Sequence, residues 1–115
     1  MIIKVNIREK TYEIDCDIGT QDIAWLALAA CYMYGEEFFP VTKFLPCMAT
    51  NKDGEILHPR INIYKYHKTL IGDEINVKIK PAASDNFMNE FDKNDMKWCK
   101  QAFYEEKFFM DIVIT

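Results

Sequence analysis

The stretch from Thr20 to Tyr34 most constrains what this chain can fold into. The 13 residues between Asp22 and Glu36 carry no charge. Thr20 is placed to cap a helix, Asp22 suits the positive end of its dipole, and Gly35 is a natural stop. At 100° per residue, Ile23, Leu26, Ala27, Ala30 and Tyr34 share one face. Trp25, Leu28, Ala29 and Tyr32 fall on the other. A helix apolar all round needs cover on both sides, so the rest of the chain must be read for what supplies it.

The first cover is a sheet. Met1, Ile3, Val5 and Ile7 alternate with polar residues, and Arg8-Glu9-Lys10 is a short polar turn. Tyr12, Ile14 and Cys16 then alternate against Thr11, Glu13, Asp15 and Asp17, so the two runs form a β-hairpin. Val41 to Thr50 is apolar enough for a strand, with Pro46 restricting it to a sheet edge or a bend. Asn51-Lys52-Asp53-Gly54 is a turn, Glu55-Ile56-Leu57 a short strand, and Asn62 to Lys68 a connector with room for one helical turn. Ile75, Val77 and Ile79 mark a last strand, closed by Pro81.

The order strand, strand, helix, strand, short strand, strand within residues 1–83 is that of an α+β, β-grasp domain: a mixed four- or five-stranded sheet wrapped round one helix. Residues 1–80 resemble ubiquitin-like proteins. The helix opens after a turn in the low twenties, Ile23, Leu26 and Ala30 stand at the spacing of the family's core-facing positions, and Asp53-Gly54 precedes a leucine-containing stretch. The resemblance implies that the final strand lies parallel beside the first. Conjugated members and sulfur carriers work through a C-terminal diglycine. Here the last glycine is Gly72, and 35 residues (115 − 80) follow Lys80 without another. The expectation is therefore a non-conjugating member. Ferredoxin-like β-grasp proteins hold an iron–sulfur cluster on closely spaced cysteines. Cys16, Cys31, Cys47 and Cys99 are 15, 16 and 52 residues apart, too far for a cluster, a zinc knuckle or a redox pair. They read as free buried thiols.

The second helix face separates this chain from the ubiquitin-like proteins it resembles. Burying Trp25, Leu28 and Tyr32 is worth roughly 5–8 kcal/mol, comparable to the net stability of a small domain. Residues 84–115 offer one cover. Ser84-Asp85 and Asn94-Asp95 are cap candidates, and Phe87, Met88 and Phe91 add an apolar edge. Met96, Trp98, Cys99, Ala102, Phe103 and Phe109 share one helical arc. Met110 to Thr115 reads as a terminal strand able to add to a sheet edge. With 4 Lys against 7 Asp and Glu, this extension is acidic. Either it folds back over Trp25, Leu28 and Tyr32, or a second protein covers the exposed surface.

Other function classes find little support. Half of the 115 residues are hydrophobic, which suits one packed domain. A net charge of −4, with Arg8 and Arg60 the only arginines, argues against DNA. The basic-aromatic patch Tyr64, Lys65, Tyr66 and Lys68 is the one feature suited to RNA, and it is short. His58 precedes Pro59 in a turn and reads as a surface or capping residue. No glycine-rich phosphate loop, GxSxG elbow or calcium loop occurs. No secretory signal or membrane-length apolar run is visible, so an intracellular, cytoplasmic chain is expected. The reading is a non-catalytic protein-interaction module, an adaptor or small subunit of a larger assembly, with no cofactor, metal or membrane partner. Trp25, Leu28, Tyr32, Trp98, Phe103 and Phe109 are its candidate contact residues. The alternatives are an RNA-binding module built on the Tyr64–Lys68 patch and an enzyme whose pocket the sequence does not reveal.

Overall fold

A computed structural model describes residues 1–38, 44–69, 72–81 and 97–104. Strands β1 (Ile2–Ile7) and β2 (Lys10–Asp15) form the expected hairpin, with Ile7 paired to Lys10. The loop is thus two residues, Arg8 and Glu9, one shorter than the sequence suggested. A loop that tight needs a positive φ, and Arg8 adopts one (55°). Its guanidinium lies 5.4 Å from the Tyr34 ring centre and 5.8 Å from that of Phe44. Nη1 donates to the Tyr34 hydroxyl at 3.0 Å. These contacts offset the cost of a left-handed backbone on a residue other than glycine.

Helix α1 (Ile23–Phe38) follows, then β3 (Phe44–Thr50), the short α2 (Ile63–Thr69) and β4 (Glu74–Pro81). The sheet order is β2-β1-β4-β3. β4 lies parallel to β1, with Val5 opposite Ile75, and antiparallel to β3. This is a compact α+β arrangement with a four-stranded mixed sheet, compatible with a β-grasp-like fold. β3 is an edge strand of this sheet, and its register slips between Pro46 and Met48, so both the edge and the irregularity that Pro46 allows are present. The expected short strand at 55–57 reduces to a bridge between Thr50 and Ile56, plus the Leu57 amide donating to the Ala49 carbonyl at 2.9 Å.

Alternation sets the sheet's inner face. Ile3, Val5, Ile7, Tyr12, Ile14, Ile75, Val77 and Ile79 are all buried. They meet the inner face of α1, where Ile23, Leu26, Ala27, Ala30 and Tyr34 are buried as the helical wheel predicts. Gly19 has φ 79°, and a Cβ there would sit 2.8 Å from the Tyr64 amide nitrogen. That amide donates to the Gly19 carbonyl, tying the entrance of α1 to α2.

Two helix boundaries differ from expectation. Asp22, not Thr20, caps α1: its Oδ1 accepts the Trp25 amide at 2.9 Å, and its Oδ2 accepts Arg60 Nη1 at 2.8 Å. A carboxylate held by a distant arginine is a better-fixed cap than a free hydroxyl. The helix also runs through Gly35 to Phe38. Glu37 then accepts the Tyr12 hydroxyl at 2.7 Å and lies 3.1 Å from Lys10 Nζ, so the last turn is anchored to β2.

Residues 97–104 are helical, ending in a π-helical turn at Lys100–Tyr104. The expectations for residues 84–96 and 105–115, including Phe109 and the terminal strand, lie outside the described residues. All four cysteines are buried, and none is in a disulfide.

Candidate functional site

Helix α1 brings the candidate surface together. The capped first turn sets its rotation, and the sheet takes the Ile23 face. What remains outward is the set 25, 28, 29, 32 and 33, one stripe at i, i+3, i+4, i+7 and i+8. Trp25 is 38% exposed, Tyr32 69% and Met33 40%; Leu28 and Ala29 lie half-buried between them against the core. An indole, a phenol and a thioether thus line one continuous ridge. Met33 is not among the contact residues expected from the sequence, although its place eight residues after Trp25 puts it on the same stripe. A methionine there adds an adaptable, polarisable contact to two rigid aromatic ones.

Trp98 belongs elsewhere. It is 2% exposed, and its indole N–H donates to the Leu57 carbonyl at 2.7 Å. Cys99 and Ala102 are buried in the same cluster. Arg60 completes the attachment, with Nη2 donating to the Ala102 carbonyl at 2.7 Å while Nη1 holds Asp22. One guanidinium therefore links the α1 cap to residues 97–104. This segment packs back onto the chain, whereas the expected cover for Trp25, Leu28 and Tyr32 was the whole extension, most of which lies outside the described residues. It docks at the Leu57–Arg60 loop, and Tyr32 keeps more than two-thirds of its exposure. Trp98 is thus occupied within its own chain, which removes it from the set of contact residues. Phe103 falls in the π-helical turn, and Phe109 lies outside the described residues.

The RNA patch is not brought together either. Tyr64 is exposed, but Tyr66 is buried and its hydroxyl donates to the Glu74 carbonyl at 2.8 Å. An aromatic packed into the core cannot stack on a base. His58 Nδ1 accepts the Arg60 amide at 3.0 Å and is a turn cap. His67 Nδ1 lies 3.2 Å from the Gly72 carbonyl. Among the described residues, no group of three or more His, Cys, Asp or Glu side chains is placed to hold a metal ion.

The perturbed ionisations around the helix follow from packing. Burial, then the hydrogen bond to Glu37, pushes the Tyr12 phenol well above its ordinary range. The same bond, with Lys10, holds the Glu37 carboxyl below the usual carboxylate range. Burial raises the Cys16 and Cys31 thiols, so both are poor nucleophiles at neutral pH.

The described geometry defines a small mixed-sheet α+β protein with an aromatic ridge on its main helix. No family model, curated protein or solved structure matches the chain. Among the described residues, no helix is long and apolar enough to cross a membrane.

Proposed function

We propose that this is a ubiquitin-like β-grasp protein that acts without catalysis, by binding another protein through the α1 ridge as an adaptor or small subunit of a larger assembly. The observation that carries this reading is the exposure of Trp25, Tyr32 and Met33 along one stripe of α1, in a chain that buries its other tryptophan. Tryptophan and tyrosine are the residue types on which binding energy concentrates. A ridge one helix wide fits a hydrophobic groove or a second helix, with anchors read at i, i+3, i+4 and i+7. The parallel β1–β4 pair at the sheet centre supports the family assignment.

The test places a photo-crosslinking amino acid at position 32 and, as control, at Glu13, which is exposed on β2. Partner adducts at 32 but not at 13, abolished by Trp25→Ala, would support the ridge. Equal adduct yield at both positions, or none at 32 in cells expressing the protein at its natural level, would overturn it.

A further inference from the structure

A cleft of about 380 Å³ opens between the turn at residues 51–57 and the start of β4. It shares no residue with the α1 ridge. Its apolar walls are Ile56, Leu57, Ile61 and the ring of Tyr66. Tyr66 is held rigid by its bond to the Glu74 carbonyl and by Gly72, where a Cβ would meet the ring at 2.1 Å. Four carboxylates also line the cleft, Asp53, Glu55, Asp73 and Glu74, against one cation, Lys52, among the described lining residues. Glu55 accepts from Asn51 Nδ2 at 3.2 Å, and Glu74 from Asn6 Nδ2 at 3.1 Å. Those bonds steady both side chains and leave acceptor capacity on each. The negative field reaches the floor: after burial, Asp73, Glu74 and Asp53 push the Tyr66 phenol up.

These walls set the ligand's chemistry. No group of three side chains converges as metal ligands among the described residues, so the carboxylates form a rim and not a coordination shell. A rim of charge over an apolar floor suits a cation carried on a hydrocarbon stem. The volume lies at the small end of ligand pockets, ~300–1,000 Å³.

We infer that this cleft binds a primary alkylammonium group, its methylenes against Ile56 and Ile61 and its N–H donors on the Glu55 and Asp73 carboxylates. Such a group comes either from a lysine of a peptide or from a free polyamine. The experiment titrates the full-length protein with three probes while recording backbone amide spectra: an unstructured peptide with a single lysine, the same peptide Nζ-acetylated, and spermidine. Saturable shifts confined to residues 55–57 and 72–74, absent with the acetylated peptide, support the inference. The peptide responding alone assigns a protein-borne lysine, and spermidine alone a free polyamine. Glu55→Gln with Asp73→Asn, both at exposed positions, should weaken the responding probe about tenfold or more. The inference is overturned if neither ammonium probe saturates by about 10 mM, if the acetylated peptide binds equally, or if the double variant binds as the parent does.

Discussion

Replacing Trp98 with alanine tests whether residues 97–104 belong to the fold. A buried tryptophan removes about 200 Å² from water, worth about 5 kcal/mol at ~25 cal/mol per Å². Alanine keeps a fraction of that, so the expected loss is about 4 kcal/mol, within the ~3–5 kcal/mol usual for such truncations. Against a total of ~5–15 kcal/mol, this is a third or more of the stability of many domains. With a urea slope of about 1.5 kcal/mol per M, the midpoint should fall by roughly 2.5–3 M. Trp98→Phe removes the hydrogen bond with a smaller loss of buried volume than alanine. It leaves the Leu57 carbonyl without the indole N–H now 2.7 Å away, at a cost of about 1–3 kcal/mol. Unfolding followed by circular dichroism gives both numbers. Fluorescence supplies an independent check, since the chain has two tryptophans. Trp25→Phe should leave a blue-shifted, poorly quenched Trp98, and Trp98→Phe a red-shifted Trp25. A loss below about 1 kcal/mol for Trp98→Ala, with a quenchable, red-shifted Trp98 in the Trp25→Phe protein, would refute the docking of this segment.

Three further outcomes are expected. Asp22→Ala should cost about 1–2 kcal/mol by removing the α1 cap, whereas Thr20→Ala should cost under about 0.5 kcal/mol, both read from denaturation midpoints. Gly72→Ala drives a methyl into the Tyr66 ring and should destabilise by about 2–3 kcal/mol or more; a neutral result would show that α2 shifts freely. At alkaline pH the sign follows from the raised tyrosines: Tyr12 and Tyr66 stay protonated in the fold while the unfolded chain ionises. Stability is therefore fully present below about pH 10 and falls as pH rises beyond it, by at most ~1.4 kcal/mol per pH unit for each such group. Tyr12→Phe should shallow that slope, and an unchanged slope would argue against the burial of the Tyr12 phenol together with its bond to Glu37.

The sequence by itself determined the parts of this protein governed by short-range periodicity. A period of two placed Ile3, Val5 and Ile7 inward, and a period of 3.6 separated Ile23, Leu26 and Ala30 from Trp25 and Tyr32. Those patterns reflect which face of an element meets the core, and they are written into neighbouring residues. Pro46, lacking an N–H, marked a sheet edge or a bend, and Asn51 to Gly54 marked a turn, for equally local reasons. The tertiary structure decided whatever depends on a partner from far along the chain. Arg60, 38 residues from Asp22, selected that residue over Thr20 as the cap. The Leu57 carbonyl, 41 residues from Trp98, turned a candidate contact residue into core. Tyr66 was likewise drawn out of a basic-aromatic patch by Glu74 and the space beside Gly72. The carboxylates of the cleft come from two segments about twenty residues apart, and only the return of β4 alongside β3 sets them round one floor. A side chain's neighbours in sequence report its periodicity; its hydrogen-bond partner and the space left beside it exist only once the chain has closed on itself.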